Sequence, residues 1–332
     1  MVKTIPIINL SSARKGDEAA RADVARQIDD ACCEIGFFAI EGHGVPESTV
    51  GDLHRAGHDF FSLPLADKQA AVHPAGMNRG YHQVGGETLA NANDHKAPPD
   101  LKEFFHVGPV RTTDAAYFTS EEGRRHFAPN IWPEGSTKFR DAAINYYEAM
   151  SELIMFLMRL AALALDMEEH YFDDKVDRSI GAMRLNYYPA QTEPPRQHQL
   201  RASAHTDYGG FTILSGEDTA GGLQVRGREG QWIDVKTTRN VFVVNIGDLL
   251  MRWTNDRWLS NLHRVINPQD DHTDGGRLSI AFFNQPNYDA LIQCLPSLSP
   301  AKYLPVLSGD YRDLKYQKTG LTSATVGVID AL

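Results

Sequence analysis

His205-Thr206-Asp207 (residues 205–207) places two metal-binding side chains two positions apart. Residues at that spacing on a strand point to the same side of a sheet, so His205 and Asp207 can reach one metal ion while Thr206 faces away. A third ligand must then come from another strand, and His263 is the candidate. Short apolar segments separated by glycines and polar turns lie between them and are predicted to be strands. These segments cover 211–214, 223–225, 232–235 and 241–246.

A second copy of the tripeptide, His272-Thr273-Asp274, shows that a His-X-Asp sequence alone is weak evidence for a metal site. This copy lies in a polar run that ends in two glycines, between two apolar segments, which is typical of a solvated hairpin loop. The first copy is followed by Tyr208-Gly209-Gly210 and a β-rich stretch, where we expect a rigid inner face. We therefore assign the metal pair to the first copy.

Arg277-Leu278-Ser279 repeats the two-residue spacing, on a strand predicted over 277–283. A guanidinium beside a hydroxyl on a mostly apolar strand suits a bound carboxylate, because arginine forms bidentate, charge-assisted hydrogen bonds. The alternative is a buried arginine paired with a carboxylate of the protein. The position of Arg277 shortly after His263 favours the carboxylate of a small molecule.

Asn186 and Tyr188, in the segment Arg184-Leu185-Asn186-Tyr187-Tyr188-Pro189, share one face of another predicted strand. They could offer an amide and a phenol to the same pocket, although an ordinary aromatic strand before a proline has the same pattern. Two imidazoles and one carboxylate that leave coordination positions open form the ligand set of non-haem Fe(II) oxygenases. The sequence therefore predicts an iron site beside a carboxylate anchor.

These motifs together resemble the isopenicillin N synthase-like branch of the Fe(II)- and 2-oxoglutarate-dependent dioxygenases, and the resemblance extends over nearly the whole chain. In the N-terminal half the segments similar to the family are 5–10, 36–45, 60–64, 79–81, 100–104 and 130–133. In the C-terminal half they are 186–189, 205–207, 263–265 and 277–279. Each motif is weak evidence alone, but the motifs occur in the same order as in the family, and this makes the resemblance specific.

The resemblance implies a role for each site residue. His205, Asp207 and His263 would bind Fe(II). The distal carboxylate of 2-oxoglutarate would be held by Arg277 and Ser279 with help from Tyr188, and Asn186 would lie near its keto-acid end. With O2 as the second cosubstrate, the implied reaction is hydroxylation of an unactivated C–H bond of a small-molecule metabolite, or desaturation or ring closure, with release of succinate and CO2. Retention of Asp207 disfavours halogenation, because related halogenases replace that ligand with a small residue.

The fold implied by the resemblance is α+β and β-rich, with a double-stranded β-helix (jelly-roll) core flanked by N-terminal helices. Residues 1–125 would form an N-terminal region of strands and helices packed on the core. Residues 126–332 would form the catalytic jelly-roll region with a C-terminal lid, and the two would make one compact unit. An amphipathic stretch over 146–167 predicts one long helix that braces the barrel.

Composition excludes several other classes of protein. Of the 332 residues, 42% are hydrophobic and 23% charged, as expected for a globular enzyme, and the net charge of −10 argues against nucleic acid as a partner. Three cysteines, two of them adjacent at Cys32-Cys33, cannot form a secreted-type disulfide framework. The N-terminus lacks the apolar core of a signal peptide, and 146–167 carries too many charges to span a membrane. We therefore expect a cytoplasmic protein without a membrane partner.

Three alternatives remain open. An oxidase of the same fold that dispenses with 2-oxoglutarate, as isopenicillin N synthase and aminocyclopropane-carboxylate oxidase do, would also keep the Arg-X-Ser pair. A zinc hydrolase could use the same three ligands with a bound water, but it needs a general base, and Glu217 and Asp218 have the pattern of loop acids. A binding module without metal would be expected to have lost a residue of the triad.

The substrate itself has no readable motif, because specificity in this fold depends on loops and on the segment beyond Ser299. We expect a small-molecule substrate from secondary metabolism, including antibiotic biosynthesis, and a monomer or weak homo-oligomer. The candidate residues of the substrate pocket are Tyr81, Phe104, Tyr208 and Phe283.

Overall fold

Strands from both halves of the chain form the larger of the two main sheets in the computed structural model, which also has a separate two-stranded sheet. The structure describes residues 4–73, 77–93, 97–191, 193–217, 222–268 and 276–319. Three features of the sequence therefore lie outside the described residues: the second tripeptide His272-Thr273-Asp274, Asp218, and the end of the predicted C-terminal lid.

The described residues form fourteen strands and ten α-helices. The strands are β1 (Ile7–Asn9), β2 (Phe37–Glu41), β3 (Gly80–His82), β4 (Glu103–Val107), β5 (Ala182–Tyr188), β6 (Ala202–His205), β7 (Phe211–Ser215), β8 (Leu223–Arg226), β9 (Trp232–Asp234), β10 (Phe242–Ile246), β11 (His263–Val265), β12 (Arg277–Phe283), β13 (Leu291–Ile292) and β14 (Val306–Leu307). The helices are α1 (Ser11–Arg14), α2 (Glu18–Glu34), α3 (Glu47–Phe61), α4 (Leu65–Gln69), α5 (Ala116–Thr119), α6 (Glu121–His126), α7 (Thr137–Ala164), α8 (Asp173–Val176), α9 (Asp248–Trp253) and α10 (Ser308–Thr319). A 3-10 helix spans Leu89–Asn93 and a second one Pro296–Leu298.

The larger sheet has eight strands in the order β1-β2-β10-β7-β12-β5-β4-β3, and the smaller has four in the order β6-β11-β8-β9. Only the β1–β2 pair is parallel among the pairs of these two sheets in the described chain. The protein is thus α+β and β-rich. Because β1 to β4 join the sheet that β5, β7, β10 and β12 build, the N-terminal half is part of the framework that carries the site.

Helices α2, α3 and α7 pack together on the outer side of the larger sheet. The long helix α7 buries one side chain or more on every turn, including Phe139, Tyr146, Leu153 and Leu157. Leu185 and Leu278, on β5 and β12, are fully buried in the same cluster. The long helix predicted from 146–167 is therefore confirmed, although it begins earlier, at Thr137.

A second, smaller apolar cluster lies where the two sheets face each other, and it includes Phe37, Tyr188 and Val243 from the larger sheet and Ala202 and Val265 from the smaller. The inner faces of both sheets therefore enclose a space that is partly apolar. Among the described residues, no helix is both long enough and apolar enough to cross a membrane.

The predicted strands are confirmed with small changes at their ends, as for β7, which extends to Ser215. Glu217, which the sequence indicated to be a loop acid, is instead buried behind the larger sheet. Its carboxylate accepts a hydrogen bond from the backbone N–H of Leu278 at 2.9 Å and contacts His58 Nε2 at 2.7 Å. Glu217 lies just beyond the end of β7 and contacts both β12 and α3, so its carboxylate is not available to the space between the sheets.

Candidate functional site

His205, Asp207 and His263 come together in the space between the two sheets. His205 ends β6 and His263 begins β11, and the two residues are direct partners in the antiparallel register. Asp207 Oδ1 lies 3.9 Å from His205 Nε2 and 3.8 Å from His263 Nε2. One ligand atom from each of the three buried residues lies within 4.8 Å of the others. In the described part of the chain, this is the one cluster of three or more such side chains that could hold a metal ion.

The two-residue spacing predicted that Asp207 lies on the same strand as His205. The structure differs, because β6 ends at His205. The carboxylate reaches the site through the turn that follows. The backbone oxygen of Asp207 accepts a hydrogen bond from the N–H of Asp248 at 2.8 Å. A Cβ on Gly247 would lie 2.4 Å from the backbone oxygen of Gly209, so the close approach of these two loops requires glycine.

Hydrogen bonds around the triad fix the orientation of each ligand. His205 Nδ1 lies 2.7 Å from the backbone oxygen of Ser203, and His263 Nδ1 lies 3.3 Å from that of Asn261. Both Nδ1 atoms then carry the proton, which leaves the Nε2 lone pairs free for a metal. Asn245 donates a hydrogen bond from Nδ2 to Asp207 Oδ2 at 2.7 Å, so Oδ1 is the oxygen left for coordination.

His205 and Asp207 are in the protonation states that metal binding requires. Burial and the neighbouring His263 lower the pKa of His205 to about 3, so this imidazole is neutral at physiological pH. Burial alone would raise the pKa of Asp207, but the two histidines and hydrogen bonds with Asn245 and Thr212 outweigh it, and the net shift is downward. A neutral imidazole and an ionised carboxylate can bind a divalent cation without first losing protons.

Arg277 and Ser279 lie opposite Tyr188 and Asn186, because β12 pairs with β5 in the register Arg277↔Tyr188 and Ser279↔Asn186. The guanidinium carbon of Arg277 lies 4.8 Å from the centre of the Tyr188 ring. Arg277 is only 5% exposed, yet no carboxylate of the described residues lies within ion-pair distance of it. Its Nε and the Oδ1 of Asn186 are buried and have no hydrogen-bond partner among the described residues.

A cavity between the sheets connects these two groups of residues. It is lined by the three triad residues, by Asn186, Tyr188, Arg277 and Ser279, and by Tyr208 and Phe283. Helix α10 contributes Arg312 and Tyr316 to the wall and also packs against the 3-10 helix Leu89–Asn93. The cavity is therefore closed partly by the C-terminal helix.

Two of the residues predicted for the substrate pocket do not line this cavity. Tyr81 belongs to the apolar core on the outer side of the larger sheet, where its hydroxyl donates to Glu103 Oε2 at 2.5 Å. The prediction for Tyr81 is wrong, because its strand turns this side chain toward the helices. Phe104 stacks on His82 with ring centres 4.4 Å apart and lies 4.6 Å from the Arg184 guanidinium carbon, so it forms a layer behind Arg184.

Sequence reasoning missed seven polar residues that line the cavity: Lys102, Arg184, Thr212, Asn245, Gln285, Arg312 and Tyr316. Asn245 had a signal, since it is the one polar side chain in the apolar strand β10. Arg184 shares a face with Asn186 and Tyr188, but no role was assigned to it. Arg312 comes from a segment without a recognisable motif.

Comparison with known proteins gives consistent matches over most of the chain. The family model described as non-haem dioxygenase in morphine synthesis N-terminal matches residues 5–135, and that of the 2OG-Fe(II) oxygenase superfamily matches residues 179–286. A 2-oxoglutarate-Fe(II) type oxidoreductase of Emericella nidulans is 36% identical over 315 residues, which cover 92% of this chain and 87% of the relative. Validamycin A dioxygenase of Streptomyces hygroscopicus subsp. limoneus is 29% identical, over 85% of this chain and 77% of the relative.

The fold comparison agrees with the sequence comparison. The crystal structure of a full-length Neurospora crassa protein in complex with alpha-KG and thymine superimposes with a TM-score of 0.79 and 30% sequence identity. The match covers 95% of this chain and 96% of that protein.

Proposed function

Because this chain belongs to the 2OG-Fe(II) oxygenase superfamily, we propose that its three-residue site and its arginine anchor together oxidise a C–H bond of a small-molecule metabolite. Fe(II) is the metal, and 2-oxoglutarate and O2 are the cosubstrates. The observation that carries the assignment of residues is the buried His205-Asp207-His263 cluster facing an arginine that has no carboxylate partner among the described residues.

His205, Asp207 and His263 are the proposed Fe(II) ligands. The donor set fits, because two neutral imidazoles and one carboxylate are the ligands that such iron sites use and leave further positions open. Ser203, Asn261 and Asn245 support these ligands through the hydrogen bonds described above. Such supporting contacts keep the ligands oriented before the metal arrives.

Arg277 and Ser279 are the proposed anchor for the distal carboxylate of 2-oxoglutarate, with Tyr188 beside them. The unpaired, buried guanidinium supports this role, since a buried charge without a partner is costly unless a ligand supplies the opposite charge. The unpaired Oδ1 of Asn186 supports a position for this residue near the keto-acid end. The carboxylate would accept charge-assisted hydrogen bonds from the guanidinium of Arg277 and a hydrogen bond from the hydroxyl of Ser279.

When bound, Fe(II) with 2-oxoglutarate and O2 supplies the oxidant for an unactivated C–H bond and releases succinate and CO2. The chain's own residues hold the reactants and shield them. Arg277 fixes one end of the cosubstrate, the triad fixes the metal, and the apolar walls of the cavity, among them Phe283, exclude water. Hydroxylation, desaturation and ring closure remain the candidate outcomes, and the ionised Asp207 disfavours halogenation.

Several wider features are part of the same proposal. The two facing sheets support a double-stranded β-helix in which the mouth carries the metal. We propose that 1–125 and 126–332 form one compact unit, as the shared eight-stranded sheet supports. A cytoplasmic location and a monomer or weak homo-oligomer remain our expectation. The relative named validamycin A dioxygenase supports a role in secondary metabolism such as antibiotic biosynthesis.

The test is an anaerobic titration of the purified protein with Fe(II) and then with 2-oxoglutarate, monitored through the weak visible charge-transfer band of an iron-chelated keto acid. We expect the band in the wild type. Asp207→Ala should lose it through loss of iron, and Arg277→Ala should require far more 2-oxoglutarate. Iron binding without any band would contradict the 2-oxoglutarate assignment, and absence of iron binding would contradict the whole site.

A further inference from the structure

The charged residues that line the cavity are strongly unbalanced. Four cations belong to the wall, Lys102, Arg184, Arg277 and Arg312, whereas Asp207 is the one carboxylate among the described lining residues. Binding of the metal and cosubstrate does not remove this excess. Fe(II) and Arg277 together match the negative charges of Asp207 and the two carboxylates of 2-oxoglutarate. For the remaining three cations, no further carboxylate is present among the described lining residues.

The carboxylates that partner these cations lie behind the wall and are shared. Glu87 Oε1 lies 2.9 Å from an Nη of Arg184, and its Oε2 lies 2.9 Å from Lys102 Nζ. Asp313 lies 3.5 Å from Arg312 and also 3.2 Å from Arg125. The side chains of Glu87 and Asp313 are each only 1% exposed, and neither lines the cavity. Lys102 also lies 3.8 Å from Asp100, and Arg125 lies 2.8 Å from Glu122, so acids behind the wall offset much of the positive charge. On the cavity side itself, Asp207 is the one carboxylate among the described lining residues.

His106 lies beside Arg184 and adds no negative charge. Arg184 Nε donates a hydrogen bond to His106 Nδ1 at 3.0 Å. Burial lowers the pKa of His106 well below its usual value, and Arg184, Arg79 and Arg312 lower it further. Arg79 is buried as well, and its hydrogen bonds go to backbone oxygens, including those of Asn78, His126 and Ala128. The buried His106 and the backbone partners of Arg79 therefore supply no negative charge to Arg184 or Arg79.

Hydrogen-bond donors at this end of the cavity also lack partners. Tyr208 lines the cavity, and its hydroxyl is buried without a hydrogen-bond partner among the described residues, as is Nε of Arg312. The Tyr208 and Tyr316 rings are 6.1 Å apart, and the Arg312 guanidinium carbon lies 5.4 Å from the Tyr316 ring. Arg184 is close enough to Tyr208 and Tyr316 to interact with both electrostatically. Buried donors normally have acceptors, so this group indicates a ligand rich in acceptor oxygens.

We propose that the oxidised substrate is a small organic monoanion and that its carboxylate binds between Arg184 and Arg312, with the Tyr208 hydroxyl as a further donor. The proposal rests on the function proposed above and specifies the class of its substrate. A planar carboxylate matches the fork of an arginine and would supply negative charge on the cavity side, where Asp207 is the one carboxylate among the described lining residues. Phe283, whose ring centre is 5.8 Å from the Arg184 guanidinium carbon, supplies an apolar wall for the body of the substrate.

The experiment uses the full chain loaded anaerobically with Fe(II) and saturating 2-oxoglutarate, so that the Arg277 anchor is occupied. The probes are butyrate, hexanoate, benzoate, phenylacetate and indole-3-acetate, each compared with its primary amide. Binding is measured from the change in the charge-transfer band and, independently, from thermal stabilisation. We expect at least one acid to bind at least about tenfold more tightly than its amide, because each charge-assisted hydrogen bond is stronger than a neutral one.

Two variants test where the acid binds. Tyr208→Phe removes a hydroxyl that bonds to nothing in the described protein, so it should fold normally and bind the acid several-fold more weakly. Arg312→Met should reduce the preference for the acid over the amide about tenfold. Arg55→Met, which removes an equal charge from the exposed side of α3, should leave that preference unchanged.

The outcomes separate the two proposals. Failure to form the charge-transfer band would contradict the proposed function itself. A normal band with no acid binding, with equal binding of acids and amides, or with an acid preference that survives both Tyr208→Phe and Arg312→Met would overturn the anionic substrate and leave the proposed function intact.

Discussion

Asn245 offers a direct test of the metal centre, because its amide is the partner of one oxygen of the proposed aspartate ligand. The Nδ2–Oδ2 distance is 2.7 Å, and Asn245 and Asp207 are 4% and 6% exposed. Asn245→Ala leaves that oxygen buried without a donor. A hydrogen bond to a charged group contributes about 1.5–3 kcal/mol. We therefore expect the affinity for Fe(II) to fall about 10- to 100-fold, the range known for partners of metal ligands.

The assay is anaerobic titration of Fe(II), with thermal unfolding measured on the same samples. Asn287→Ala is the matched control, because Asn287 is 1% exposed and also donates to a carboxylate at 2.7 Å, that of Asp177. The control should lose stability without losing metal affinity. If Asn245→Ala binds Fe(II) within about twofold of the wild type, or if both variants lose affinity equally, Asn245 does not position the ligand.

Three further predictions follow from burial and charge. Arg277→Met should weaken 2-oxoglutarate binding at least about 30-fold while Fe(II) still binds, because loss of one partner of a buried charge pair costs about 2–5 kcal/mol. Anaerobic calorimetry measures the affinity for Fe(II) and the affinity for 2-oxoglutarate. An unchanged affinity for 2-oxoglutarate would show that Arg277 is not part of the anchor. Leu157→Ala should lower the free energy of unfolding by about 2–5 kcal/mol. Leu304→Ala, at a leucine 77% exposed, should change it by less than about 0.5 kcal/mol in the same urea titration, and equal losses would contradict the assigned core. Arg184 and Lys102 outweigh burial and lower the pKa of Glu87 from its ordinary value of 4.5 to about 2. The stability that Glu87 contributes is therefore complete above pH 4.5 and is lost as the pH falls toward 2. Glu87→Gln should flatten this part of the pH–stability curve, and an unchanged slope would show that Glu87 is not its source.

Local spacing was sufficient to predict the residues of the site that lie on strands. Arg277 and Ser279 share one face of β12 because side chains alternate along a strand. Tyr188 and Asn186 pair with them on the neighbouring strand β5, so all four side chains lie on the same face of the sheet. The two-residue rule failed for Asp207, since β6 ends before it and the turn is held by Asp248 instead. A spacing rule predicts which side chains can meet, but it does not predict where a strand ends.

The charged layer around the substrate could not be predicted from spacing. Glu87 lies far in sequence from Arg184, and it belongs to no predicted strand, so nothing local indicates that it binds Arg184 and Lys102 at once. The same is true of Arg312, which reaches the cavity only because α10 packs against the 3-10 helix Leu89–Asn93. These contacts depend on the packing of whole elements, and the sequence shows only their separate polar residues.

Strand β5 carries residues of both the proposed substrate anchor and the proposed cosubstrate site. Its inner face carries Arg184, Asn186 and Tyr188 in succession, while Met183 and Leu185 are buried on the other face against the helices. A shift of one residue in its pairing with β12 would turn Met183 and Leu185 into the cavity and the polar residues into the apolar core, so burial of the outer face fixes the register. Four residues along a strand span about 13 Å, which sets the separation between the backbones of Arg184 and Tyr188. The distance between the proposed substrate anchor and cosubstrate anchor is therefore fixed by the packing of the larger sheet on α3 and α7, and a substitution in that outer layer can alter catalysis without touching either ligand.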